Sequence, residues 1–89
     1  MRTIREEERY RKQIEALRVD WKRLDEALSQ LQPALSTIPN LFPVVLGTGT
    51  PGLRRLKVVG YPGVPSLSIF FTYTETEVHL HSAEVIEQD

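Results

Sequence analysis

Residues 66–85 read SLSIFFTYTETEVHLHSAEV, and this stretch decides the fold. Ser66 to Tyr73 is rich in aromatic and β-branched side chains, which favours a strand. Val78 to Val85 alternates apolar and polar side chains, as a strand with one buried face does. Thr74 to Thr76 forms the only break between them. The pattern therefore predicts two antiparallel strands joined by a tight turn.

A third strand is predicted immediately upstream of this hairpin. Leu53 to Val59 reads LRRLKVV, and the loop Gly60 to Pro65 separates it from the next strand. Pro39 to Gly52 is rich in proline and glycine and is predicted to be a loop, with a short extended piece at 44–46. We therefore expect a small antiparallel sheet within residues 44–86.

The N-terminal part, residues 4–38, has the pattern of a helix. Apolar side chains recur at alternating steps of four and three, which places them on one helical stripe: Tyr10, Ile14, Leu17, Trp21, Leu24, Leu28, Leu31, Leu35 and Ile38. Two structures fit the stripe. One is a long helix bent or ended near Pro33, and the other is a helical hairpin with a corner near 18–20, where Asp20 would cap the second helix. A coiled coil has the same spacing, but a downstream sheet offers the stripe a packing surface.

Helical segments followed by strands predict an α+β fold, with the helices packed on one face of the sheet. The chain has 89 residues, which is the size of one small domain, so we expect a single domain over 1–89.

Composition excludes several classes of function. The chain has no cysteine, which excludes a disulfide scaffold, a thiolate metal site and a cysteine nucleophile. Its formal net charge of −1 argues against a uniformly basic nucleic-acid binder. The N-terminus is too charged for a signal peptide and no apolar run is long enough to span a membrane, so we expect a cytoplasmic protein without membrane partners.

The cations of the predicted strand 53–59 form a local basic cluster. Arg55 and Lys57 are two residues apart and should leave the same face of the sheet, whereas Arg54 should point the other way. Two cations on a rigid strand can hold a phosphate or stabilise a phosphorane-like transition state. Charges that keep an exposed edge strand soluble give the same pattern.

The last predicted strand brings Glu77, His79 and His81 to one face. Successive side chains on that face are roughly 7 Å apart, too far to chelate one ion easily, so we predict neither a metal nor another cofactor. Either histidine could act as a general acid or base, or simply belong to a solvated polar face. The GTGTPG run at 47–52 lacks the lysine and the following helix of a phosphate-binding loop.

Residues 34–58, ALSTIPNLFPVVLGTGTPGLRRLKV, resemble the RelE/ParE superfamily of type II toxins, including its HigB-type members. The helix end, the glycine loop and the LRRLKV strand match the family pattern, as does the following LSIFFTY strand. The likeness covers roughly residues 14–85. It implies a helical hairpin on an antiparallel sheet, and an N-terminal strand for which 1–4 is the only candidate.

The resemblance also implies site residues. In the ribosome-dependent ribonucleases of the family, basic residues flank a leucine as Arg55 and Lys57 flank Leu56, and the aromatic hydroxyl would be Tyr73. With His81 as acid or base, the candidate catalytic set is Arg55, Lys57, Tyr73 and His81. The family arginine on the next strand falls at Ser68, the aligned aromatic position holds Phe71, and the basic C-terminal residues are replaced by Glu87 and Asp89.

Three hypotheses follow. The first is a toxin that acts through ribosome-dependent mRNA cleavage or through gyrase and is bound by a cognate antitoxin; Trp21, Leu24 and Leu28 would bind this partner. The second is a catalytically inactive, non-enzymatic interaction module on the same fold, or a helical-hairpin adaptor, whose apolar stripe would be the partner surface. The sequence also leaves a homodimer open. The third is a metal- or histidine-dependent small hydrolase that uses His79, His81 and Glu84.

Overall fold

A computed structural model of the chain describes residues 1–86. It confirms the α+β class, with two helices packed on a four-stranded sheet. A single 3₁₀ turn, Pro39–Leu41, follows the second helix. In chain order the elements are β1 (Thr3–Glu6), α1 (Glu8–Asp20), α2 (Leu24–Thr37), β2 (Arg54–Val58), β3 (Leu67–Tyr73) and β4 (Glu77–Val85).

The sheet has the order β1-β4-β3-β2 and is mixed, not purely antiparallel. The predicted hairpin is confirmed: β3 and β4 are antiparallel, and the Thr74 N–H donates to the Glu77 carbonyl across the turn at 2.8 Å. β2 pairs antiparallel with β3, while β1 pairs parallel with β4.

The prediction of helix from residue 4 is therefore wrong. Thr3–Glu6 is a strand because its backbone pairs with 77–80 while Ile4 packs against the core.

The helical region is a hairpin and not one long helix. α1 ends at Asp20 and α2 begins at Leu24. The corner therefore lies at 21–23, directly after the predicted position at 18–20. Asp20 closes α1 and does not cap α2; the N-cap position of α2 is Arg23, without a side-chain cap bond. Pro33 does not end α2, which continues to Thr37.

The apolar stripe packs on the sheet. Leu24 and Leu35 of α2, with Tyr10 and Ile14 of α1, are buried against the inner side chains of β2, β3 and β4. Burial of this kind stabilises a fold by about 25 cal/mol per Å² of apolar surface, so it is the main force holding the hairpin on the sheet. Ile38, the last residue of the stripe, is the exception and is largely exposed.

Two sets of hydrogen bonds, one from a helix side chain and one from a loop, protect the edges of the sheet. Beyond the end of β1, the Ala83 N–H of β4 donates to the Gln13 Oε1 of α1 at 2.8 Å. On the other side, the Val45 N–H donates to the Leu53 carbonyl at 2.7 Å and the Arg55 N–H to the Pro43 carbonyl at 3.0 Å. These bonds cover backbone groups that an edge strand otherwise exposes.

Within residues 1–86, neither helix combines the length and the apolar character needed to cross a bilayer.

Candidate functional site

The helices cover one face of the sheet and leave the other uncovered. We call the second surface the open face. Because side chains alternate along each strand, the residues between the buried ones of β2, β3 and β4 point to it. Its members are Arg55, Lys57, Ser68, Phe70, Thr72, Glu77, His79, His81, Ser82 and Glu84.

Arg55 and Lys57 lie together on the open face, as predicted from their spacing. Arg55 is opposite Phe70 and Lys57 is opposite Ser68 on β3. The Arg55 Nε donates to the Ser68 Oγ at 2.8 Å, which orients the guanidinium along the sheet. No carboxylate of residues 1–86 lies within ion-pair distance of either cation. Both charges are therefore available to an anionic ligand.

Arg54 points to the other side of β2. Its Nη1 donates to the Phe42 carbonyl at 2.6 Å, and its guanidinium lies 5.4 Å from the centre of the Tyr73 ring. It thus ties β2 to the loop that follows α2, which is a structural role.

His81 lies where the pairing of β3 and β4 is interrupted. The register shifts between Phe70 and Phe71, so that Phe70 is opposite Ser82 while Phe71 is opposite Leu80. His81 is the extra residue of this bulge, and its Nε2 is 2.8 Å from the Thr72 hydroxyl oxygen. Since Nε2 is engaged, Nδ1 is the ring nitrogen left for proton transfer. Bulges commonly re-aim a side chain in this way near functional sites.

His79 lies between two carboxylates, neither of which is within hydrogen-bond distance of its ring nitrogens. Its Nδ1 is 3.5 Å from Glu7 Oε1 and its Nε2 is 3.7 Å from Glu77 Oε1, while the same Glu77 accepts from Arg5 at 2.6 Å. These carboxylates flank opposite sides of the ring and do not converge on one point. In the part of the chain that the structure describes, no set of three histidine or acidic side chains is placed to hold a metal ion.

Tyr73 is separated from the other candidate catalytic residues. It follows Phe71 in the inward-facing series of β3 and packs partly against the core. Its ring lies between two cations, with the Arg2 guanidinium 5.1 Å and the Arg54 guanidinium 5.4 Å from its centre. The structure therefore brings Arg55, Lys57 and His81 to one face and places Tyr73 on the other.

The three predicted partner-binding residues differ in how far they are exposed. Leu24 is fully buried, so it packs inside the chain and offers no surface to a partner; this prediction is wrong. Trp21 and Leu28 are half-buried and retain some exposed surface. Leu28 lines a cavity of about 270 Å³ between α1 and α2, which the Arg18–Asp25 ion pair bridges at 2.8 Å.

Tyr10 is another wall of this cavity. Burial raises the pKa of its phenol to about 12, with the Glu6 carboxylate adding to the effect.

A second cavity, of about 440 Å³, adjoins the candidate site on the open face. Phe70, His81 and Ser82 line it, together with Leu53 before β2 and Glu7 at the start of α1. Sequence reasoning missed Phe70 and Glu7. The alternation of Ser68, Phe70 and Thr72 in β3 was the available signal for the first. Nothing local marks Glu7, which only β1 pairing brings beside β4.

The acidic residues predicted to weaken the site, Glu87 and Asp89, lie outside the described residues. Neither a scan against protein-family models nor a search of the curated proteins finds a match to this chain. The chemistry of the site therefore follows from its own geometry: two cations without a carboxylate partner in residues 1–86, an oriented imidazole and an aromatic ring on one exposed surface.

Proposed function

We propose that this chain is the toxin of a type II toxin–antitoxin pair and that it inhibits growth in the cytoplasm by cleaving messenger RNA on the ribosome. The observation that carries the proposal is the placement of Arg55 and Lys57, without carboxylate partners in residues 1–86, on the same open face as His81. This is the combination that phosphodiester cleavage requires: positive charge for the phosphate and a group that moves a proton.

The architecture supports the same proposal. The resembling toxins begin with a strand, and β1 supplies one here at 3–6. It is followed by a helical hairpin and then by antiparallel strands, in the order expected from the family.

The reaction is a transesterification within the RNA. The ribose 2′-hydroxyl attacks the adjacent phosphorus and the bond from phosphorus to the 5′-oxygen breaks, which leaves a cyclic phosphate and a 5′-hydroxyl. The Nδ1 of His81 would take the proton from the attacking 2′-hydroxyl, and water would supply the proton that the leaving 5′-oxygen takes up. Arg55 and Lys57 would stabilise the charge that develops on the phosphoryl oxygens.

Controlled expression in a bacterial host tests the proposal. We expect growth to stop, incorporation of labelled methionine to fall before that of labelled thymidine, and the adjacent small gene, the expected antitoxin, to restore growth. The Arg55→Glu/Lys57→Glu double variant should be harmless while keeping the circular dichroism spectrum of the parent. Harmless expression of the parent chain contradicts the proposal, and early loss of thymidine incorporation would indicate gyrase as the target.

A catalytically inactive interaction module is the second candidate. One observation favours it: β3 carries Ser68 where the resembling nucleases have an arginine, and Ser68 is 3% exposed and already accepts from Arg55. On this alternative, the double variant would leave function intact, whereas a polar substitution at half-buried Leu28 would abolish binding to the partner.

A further inference from the structure

The cavity of about 440 Å³ on the open face, beside Arg55, has aromatic, apolar and charged side chains on different walls. Its floor is formed by Phe70, His81 and Ser82 of β3 and β4. Thr50 and Leu53 stand on the side of β2, and Glu7, Glu8 and Arg9 stand on the side of α1. An aromatic floor, an apolar side chain and an opposing polar wall with two carboxylates and one arginine together suit a flat ligand that carries hydrogen-bond donors on one edge.

We propose that this cavity binds the base of a guanine nucleotide in single-stranded RNA. The inference rests on the proposed function, because it takes the polymer to be RNA, but it adds which base the site selects. Sequence-specific recognition of single-stranded RNA generally uses aromatic side chains for stacking and polar groups on the Watson–Crick edge.

Phe70 supplies the stacking surface. Its ring is half-buried on the open face, where a base can lie against it without displacing the core. Stacking of a base on an aromatic side chain contributes roughly 1–3 kcal/mol, but it does not discriminate among bases. Selection must therefore come from the polar wall.

Glu7 is the group on that wall that can select. Its carboxylate is half-exposed, and its nearest partner, His79 Nδ1, is 3.5 Å away, beyond hydrogen-bond length. Glu8 also lines the cavity, but its Oε1 is held by Lys12 at 3.1 Å.

A free carboxylate accepts only, so it favours two adjacent donors. Guanine presents such a pair in its N1–H and its exocyclic amine, whereas uracil flanks its one N–H with two carbonyl oxygens that the carboxylate repels.

The phosphate of the same nucleotide can then reach the cations. Arg55 is directly opposite Phe70 on the neighbouring strand, and neighbouring strands are about 4.8 Å apart. A base over Phe70 thus places its own phosphate within reach of the Arg55 guanidinium. Base selection and phosphate binding are adjacent parts of one surface.

Titration of the ¹⁵N-labelled chain with nucleoside monophosphates tests the inference. Guanosine monophosphate should shift the amide signals of Phe70, His81 and Ser82. It should bind about tenfold more tightly than inosine monophosphate, which lacks the exocyclic amine and so one charge-assisted hydrogen bond. Uridine monophosphate should bind more weakly still. No binding of guanosine monophosphate, or equal affinity for all three nucleotides, overturns the inference.

Two variants sharpen the result. Glu7→Gln should remove the preference for guanosine over inosine monophosphate, whereas Glu15→Gln, the same change of charge on α1 away from the cavity, should keep it. A preference that survives Glu7→Gln overturns the assignment of that residue. Growth arrest by the parent chain is scored separately, so a toxin without base preference contradicts this inference alone, and a harmless chain that selects guanine contradicts only the toxin proposal.

Discussion

The Nε2 of His81 lies 2.8 Å from the Oγ1 of Thr72, across the bulge between β3 and β4. This contact orients the imidazole and leaves Nδ1 as the nitrogen that is not engaged by Thr72. It connects a fold irregularity with the proposed chemistry, because the backbone of Thr72 is opposite His79, while its hydroxyl contacts the extra residue of the bulge, His81.

We therefore expect Thr72→Val to disturb His81 without removing it. Valine keeps the shape but leaves the part-buried Nε2 without its partner, which should lower the free energy of unfolding by about 1 kcal/mol. Urea denaturation measures this loss, and long-range ¹H–¹⁵N spectra report the tautomer of His81. Thr3→Val, on an exposed position of β1, is the matched control. An unchanged tautomer in Thr72→Val would show that the contact does not orient the ring.

Arg54 and Lys57, on opposite sides of β2, should separate stability from activity. Arg54→Ala removes the bond to the Phe42 carbonyl and the contact with Tyr73, and we expect it to cost about 1–2 kcal/mol of stability. Lys57→Ala should have little effect on stability, since this exposed side chain has no partner in residues 1–86. In growth assays the order should reverse, with Lys57→Ala the weaker toxin per folded molecule. Equal urea midpoints for the two variants would contradict the structural role of Arg54.

We expect the side chain of Gln13, a residue of α1, to stabilise the sheet through its hydrogen bond with β4. Gln13→Ala leaves the Ala83 N–H without an acceptor and should cost about 1–2 kcal/mol, with faster exchange of that amide. Gln13→Glu keeps an acceptor oxygen and should retain the protection. Gln30→Ala, on the exposed side of α2, is the control, and slow exchange at Ala83 in Gln13→Ala would argue against the edge contact.

Because Tyr10 is buried, we expect the free energy of unfolding to fall at high pH. Its pKa is raised from 10.0 to about 12 by burial, so the folded chain disfavours the phenolate that the unfolded chain forms readily. The stabilisation is complete below pH 10 and is lost as the pH rises from about 10 to 12, with a slope near 1.4 kcal/mol per pH unit. The stability difference between the parent and Tyr10→Phe should be constant below pH 10 and shrink above it. A constant difference up to pH 12 would contradict the burial of the hydroxyl.

Local patterns were sufficient for much of this fold. The alternation in 78–80 and the four-three stripe of 10–35 each reflect one buried face, and the structure buries those faces against each other. The shared direction of Arg55 and Lys57 follows from the same alternation. Such features depend on near neighbours in the chain, which a single sequence displays directly.

The features that were missed depend on distant parts of the chain. Thr3–Glu6 is polar except for Ile4 and becomes a strand only because β4 lies beside it. The bulge at His81 is visible only when β3 and β4 are paired, and Leu24 is buried because the helical hairpin packs its stripe on the sheet. Glu7 enters the candidate site for the same reason as β1. No local pattern carries these arrangements.

The parallel pairing of β1 with β4 has a consequence for how the molecule is made. Contacts such as Arg5–Glu77 join residues 72 positions apart, and of the four strands of the sheet β4 is synthesised after the other three, although it lies inside the sheet. A nascent chain can therefore form its helical hairpin early, but it cannot form the surface that carries His81 until β4 has emerged. Closing such distant contacts is entropically slow. If the chain is a toxin, its harmful surface appears only after translation of β4, which leaves an interval in which an antitoxin can meet it first.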